Sequence, residues 1–225
     1  MLIKEWMSTS VITINDNDSL NDAIKLFESR VISMLPVLKD GKVVGIITDG
    51  DVKKAMPSDA TTLDRFELPV LLDSVKIKSV MSKPVITTSV DHTVDEIAGT
   101  MLKKGISGMP VLDYKNRLKG IITKSDVFRC FVSFTGVSEK SQIFAIKIEN
   151  KPGVIKRLSD LIRKNGGRLC SILTSYDDSE EGFRKVYFHT FDISTSNFVE
   201  ITDEFQKAGE LFYVADLARK FRMIF

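Results

Sequence analysis

Residues 7–38 and residues 81–112 can be written one above the other without a gap. Met7, Ser8, Val11, Ile12 and Thr13 fall on Met81, Ser82, Val85, Ile86 and Thr87. Pro36, Val37 and Leu38 fall on Pro110, Val111 and Leu112. One residue is added where "KDGKVV" becomes "DYKNRLK", and the register then resumes with "GIITDGDV" (45–52) over "GIITKSDV" (120–127). An internal repeat of this length marks a duplicated structural unit, and it constrains the fold more than any single motif does.

Each copy has the same readable plan. "SVITI" and "PVITT" are short β-branched runs and predict strands. A helix follows. In the second copy Thr93 and Glu96 make a capping box ahead of Val94, Ile97, Ala98 and Met101 at helical spacing; in the first, Ser19 precedes Leu20, Ala23, Ile24 and Phe27. "MLPVLKDGKVVGIIT" predicts two strands joined by an Asp-Gly hairpin, and "GMPVLDYKNRLKGIIT" the same pair with a longer turn. "DVKKAM" and "DVFRCFVSF" open a closing helix, so the order is β-α-β-β-α, twice. Residues 57–75, "PSDATTLDRFELPVLLDSV", begin polar and end apolar, which predicts a linker closing in a short helix.

After Gly136 the pattern changes. "SQIFAIKIEN" (141–150) alternates as a strand, with Phe144, Ile146 and Ile148 on one side. "KPG" turns into a helix with Val154, Leu158, Leu161 and Ile162 on its apolar face, and "NGG" (165–167) ends it. "RLCSILTSY" and "FRKVYFHTFDI" predict strands around an acidic turn, "DDSEEG", which reads as a solvated loop rather than a metal site. A helix over 196–209 faces Phe198, Ile201 and Phe205 inward, and "ELFYVADL" is a last strand. The order β-α-β-β-α-β is that of a ferredoxin-like split unit, so the whole chain predicts an α+β protein.

Bulk properties narrow the function. The 225 residues suggest two or three modules, and a net charge of +2 gives no push toward nucleic acid or an anionic membrane. Cys130 and Cys170, without a C-x-x-C neighbour, read as buried thiols in a reducing compartment. With no apolar leader or membrane span in the sequence, the expected location is cytoplasmic. His92 and His189 stand apart, outside any metal or triad spacing, and read as structural or surface histidines; the chain has no P-loop and no G-x-G-x-x-G. No catalytic residue, metal or resident cofactor is expected.

Residues 1–56 and 76–135, through "LPV…GKVVGIITDGD" and "MPV…RLKGIITKSD", resemble a tandem pair of CBS domains, with 57–75 as linker. Residues 141–225, through "IENKPGVIKRLSDLI" and "NGG", resemble an ACT domain, and the whole arrangement is similar to the acetoin-utilisation regulatory subfamily. The resemblance implies pseudo-twofold packing of the repeats around two clefts for an adenosine-type ligand: AMP, ADP, ATP or S-adenosylmethionine. It implies Asp51 and Asp126 accepting two hydrogen bonds each from ribose hydroxyls, with Thr48 and Thr123 turned to sugar or phosphate. Ser10, Val11 and Ile12 in one copy, and Pro84, Val85 and Ile86 in the other, would line the purine; Met34 and Pro36, and Met109 and Pro110, would close the other side. In the ACT part, Asn150, Pro152, Gly153 and Val154 would form an amino-acid effector site or a dimer contact.

Each motif also has a plainer use. Thr-x-x-Asp caps a helix whether or not anything binds, and Asn150 with Pro152 and Gly153 can be a cap and tight turn. Asp49-Gly50 against Lys124-Ser125 makes the two clefts chemically unequal. The expected function is a regulatory ligand sensor, a homodimer acting on a separate enzyme or regulator. The alternatives are a non-sensing dimerisation scaffold and an enzyme with an unrecognised active site.

Overall fold

The computed structural model describes residues 1–56, 67–138 and 140–225, which divide into two compact units, Met1–Phe128 and Arg129–Phe225. Most of the expected linker, residues 57–66, lies outside the described residues.

The first copy supplies β1 (Ile14–Asn15), α1 (Leu20–Arg30), β2 (Met34–Lys39), β3 (Lys42–Thr48) and α2 (Asp49–Ala55). Next come α3 (Glu67–Ser74) and α4 (Ile77–Val80). The second copy supplies β4 (Thr88–Ser89), α5 (Val94–Lys104), β5 (Gly108–Leu112), β6 (Leu118–Thr123) and α6 (Lys124–Thr135). Each copy forms a three-stranded sheet, β1-β2-β3 and β4-β5-β6, with the first pair parallel and the second antiparallel. Asp40 and Gly41, at φ 49° and 75°, make the two-residue turn that "DG" calls for. Ser19 and Thr93 cap α1 and α5 through reciprocal capping boxes, with Asp22 and Glu96 as the returning acids.

The expected strands "SVITI" and "PVITT" are almost absent. Only Ile14–Asn15 and Thr88–Ser89 join a ladder, while Ser10, Val11 and Ile12, and Pro84, Val85 and Ile86, run without one. The cause is an exchange of leading segments between the copies. Ser8 trades both backbone hydrogen bonds with Ile121 of β6 (3.0 and 2.9 Å), and Ser82 does so with Ile46 of β3 (2.8 and 3.2 Å). Upstream, Ile3 N–H donates to His92 O (3.0 Å) at the start of α5, and Ile77 N–H donates to Asp18 O (3.0 Å) at the start of α1. Ile3 and Ile77 are fully buried by this exchange, worth about 2 kcal/mol each in removed apolar surface. The sheet cannot claim residues that are already leaving for the other copy.

The second unit contains β7 (Gln142–Glu149), α7 (Val154–Lys164), β8 (Arg168–Ser175), β9 (Phe183–Phe191), α8 (Thr195–Ala208), β10 (Glu210–Asp216) and β11 (Phe221–Ile224). Its antiparallel sheet has the order β11-β10-β7-β9-β8. Phe144, Ile146, Ile148, Val186, Phe188 and Val214 of the sheet bury against Leu158, Ile162, Phe198, Ile201 and Phe205 of the helices. The edge strand β11 was not expected from sequence: its four residues are all exposed, so they carry no alternation of burial. Cys170 is exposed, against expectation. It lies on β8, an edge strand, with its Sγ 3.4 Å from Gly136 O, while Cys130 is buried.

Candidate ligand clefts

The motif that ends each repeat's second strand builds a helix cap in both copies. Thr48 closes β3 in an extended conformation, and Asp51 comes one turn into α2. Asp51 Oδ2 accepts from Thr48 N–H (2.9 Å) and Thr48 Oγ1 (2.7 Å), while Asp51 N–H donates back to Thr48 Oγ1 (3.2 Å). At α6, Asp126 Oδ2 accepts from Thr123 N–H (2.9 Å) and Thr123 Oγ1 (2.7 Å), and Asp126 N–H returns to Thr123 Oγ1 (3.4 Å). The Thr-x-x-Asp pattern thus forms the expected cap in both copies. One oxygen is committed to the cap, because the amide and hydroxyl of the capping threonine both converge on it. On Asp51 the other oxygen, Oδ1, meets Ser82 Oγ at 3.3 Å, a long bond that a ligand hydroxyl can replace. Its two lone pairs suffice for a vicinal diol.

A cleft adjoins each cap. The Thr123 cleft, about 270 Å³, brings Thr123 and Asp126 of the second copy together with Ser10, Val11, Ile12 and Met34 of the first. Ser8, Val31, Ile32, Ser33 and Ile121 complete it. The Thr48 cleft, about 440 Å³, joins Thr48, Asp49, Gly50 and Asp51 to Ser82 and to Gly105, Ile106, Ser107 and Gly108, with Ser33, Met34 and Ile46 alongside. Each cleft therefore takes its acid from one copy and walls from the other, which the exchanged leading segments make possible. Met34 borders both clefts, its sulfur packed over Gly108 where a Cβ would stand 2.6 Å away.

The structure does not bring every expected residue into these clefts. Pro36, Met109 and Pro110 line neither cleft, because β2 and β5 are buried on both faces over these residues. Pro84, Val85 and Ile86 also line neither, so the Thr48 cleft lacks the wall that Ser10, Val11 and Ile12 give the Thr123 cleft. Sequence reasoning missed the turns after α1 and α5. Val31 ends α1 at φ 52° and is 93% exposed, where the second copy has Gly105 at φ 65°. Only the alignment of a valine with a glycine signalled a tight turn there.

In the second unit, Asn150, Pro152, Gly153 and Val154 occupy the turn from β7 to α7; the first three are exposed and Val154 packs on the core. Gly153, at φ 85°, is the N-cap of α7, and Asn150 is not; Asn150 N–H instead donates to Gly182 O (2.8 Å). His92 Nδ1 bonds Thr88 Oγ1 (2.7 Å), and buried His189 Nδ1 bonds Thr135 O (2.8 Å). Among the described residues no cluster of His, Cys, Asp or Glu could hold a metal ion, and no helix is long and apolar enough to cross a membrane.

Residues 3–58 and 77–133 match the family described as CBS domain. An uncharacterized protein of Methanocaldococcus jannaschii is 34% identical, over 59% of this chain and 92% of that protein. L-aspartate semialdehyde sulfurtransferase of the same organism is 36% identical over 58% of this chain, which spans only 23% of that enzyme. A CBS domain pair crystallised with 5′-methylthioadenosine and S-adenosyl-L-methionine is 34% identical, covering 59% of this chain and 97% of that one, with a TM-score of 0.49. The duplicated sheets, the exchanged segments and the family match over both repeats lead to one conclusion: this chain belongs to the CBS domain family, as a tandem pair.

Proposed function

We propose that the chain is a regulatory ligand sensor whose CBS clefts bind an adenosine-type molecule, such as AMP, ADP, ATP or S-adenosylmethionine. The observation that carries this reading is the matched pair of clefts, each setting a half-buried Asp carboxylate against an apolar and hydroxyl-bearing wall. A carboxylate suits the ribose diol, and in the Thr123 cleft Val11, Ile12 and Ile32 suit a purine face. In this reading the chain works by differential ligand affinity between two packings of a homodimer, acting on a separate enzyme or regulator and catalysing nothing itself. Titration calorimetry with AMP, ADP, ATP and S-adenosylmethionine tests the sensor. Saturable binding that Asp51→Ala and Asp126→Ala weaken is expected, and absence of heat with all four refutes it.

The second unit is read as an ACT module, on its β-α-β-β-α-β order from β7 to β10, to which β11 adds an edge strand, and on the Asn150–Pro152–Gly153 turn, serving amino-acid sensing or dimerisation. We read the whole arrangement as similar to the acetoin-utilisation regulatory subfamily, acting in the cytoplasm. A scaffold without a ligand is favoured by one observation, the completeness of both caps as they stand. Ligand-induced stabilisation distinguishes the two, since only the sensor gains thermal stability from a nucleotide.

A further inference from the structure

Resting on the adenosine reading above, we propose that the two clefts select ligands by charge. The Thr123 cleft takes an adenosine with a 5′-phosphate, and the Thr48 cleft takes an adenosine without one, with Asp49 as the discriminating residue. The copies agree at Ile-Ile-Thr and at the capping Asp, and they part at the two residues between, Asp49-Gly50 and Lys124-Ser125. Asp49 and Gly50 both line the Thr48 cleft, so that cleft holds a second carboxylate beside Asp51 and no Lys or Arg among its lining residues. The cation on Asp49 is Lys53, at 3.3 Å, with 76% of its side chain exposed; such a solvated pair neutralises little inside the cleft. A phosphate there meets two like charges, which is how sites reject a partner.

The Thr123 cleft has one lining carboxylate, Asp126, and several hydroxyls, from Ser8, Ser10 and Ser33. Lys124 stands where the other copy has Asp49; it does not line the Thr123 cleft, which like the other has no lining Lys or Arg, so the two clefts differ by the second carboxylate that Asp49 adds. A 5′-phosphate is tolerated on this side and excluded on the other, while an uncharged ribose and purine meet the same capping Asp in both.

Calorimetry on the full chain with adenosine and with AMP tests this. Wild type is expected to bind adenosine at two sites and AMP at one. Asp49→Lys creates a second AMP site, at least about tenfold tighter than wild type shows there, while the AMP site of the Thr123 cleft, which Asp49 does not line, stays unchanged and shows that the variant is folded. Lys124→Asp weakens AMP about tenfold and leaves adenosine within about twofold, a tenfold change being a charge effect of ordinary size. AMP filling two equal sites in wild type, or a single unchanged AMP site in Asp49→Lys, overturns the proposal while leaving the adenosine reading intact. No heat from either ligand overturns the adenosine reading, and this proposal with it.

Discussion

Met7 lays its thioether on Gly120, whose missing Cβ would stand 2.5 Å from the Met7 sulfur. Met81 covers Gly45 in the same way, so each copy's opening Met-Ser is keyed to the glycine that begins the other copy's Gly-Ile-Ile-Thr. The repeated glycine is thus a packing requirement, and the first residue of the phrase explains how the two copies are locked together. Gly45→Ala is expected to cost about 1–3 kcal/mol by overpacking. Met81→Ala in the same chain should recover part of that, with a coupling of about 1 kcal/mol in a double-mutant cycle read by urea denaturation. Additive losses would show that the sulfur is not what the glycine accommodates.

Val31 holds a left-handed conformation at the end of α1, which a β-branched residue adopts only under strain. Val31→Gly is expected to raise thermal stability by about 1 kcal/mol. It also strips an apolar group from the Thr123 cleft, so ligand affinity should fall while stability rises.

Asp51 has two tasks, a cap through Oδ2 and a ligand contact through Oδ1. Asp51→Ala should therefore lower stability by about 1 kcal/mol without ligand, as loss of a cap does. It should also remove the additional Tm rise that ligand at the Thr48 cleft gives. A loss of stability with an unchanged ligand-induced rise would confine Asp51 to capping.

Asp216, at the end of β10, is the buried acid of the second unit. Burial pushes its carboxyl up, but bonds from Gln142 Nε2 (2.8 Å), Arg219 N–H (3.0 Å) and the Arg219 guanidinium outweigh this and hold it below the usual carboxylate value. A depressed folded value means that its stabilisation is present above the unfolded value near about 4 and is lost as pH falls through the folded one. Hydrogen exchange at β10 amides should show protection declining below about pH 4. Asp216→Asn should cost about 2 kcal/mol at pH 7 and flatten that acid limb.

The repeat plan was legible because duplication doubles every signal. A single "GIIT" is weak, but Thr48 and Thr123 at matched places, each followed by an acid, fix a strand end and a helix start twice. Ser10, Val11 and Ile12 look like a strand locally, and nothing near them in sequence says that Ser8 is held by Ile121. That pairing is set by tertiary packing, and so is the division of clefts between copies. The same cause hid Ser33, Ile106 and Ser107, whose contribution depends on the turn after each helix rather than on residue type. In the second unit, Phe144, Ile146 and Ile148 were legible from alternation, whereas the N-cap at Gly153 was not, because its signature is a backbone angle.

A crystal structure of the full chain grown with saturating AMP tests the central claim most directly. The account predicts AMP in the Thr123 cleft, its ribose hydroxyls on Asp126 and its purine against Val11 and Ile12. Clefts empty at saturating AMP, or AMP bound away from Asp126, would contradict it.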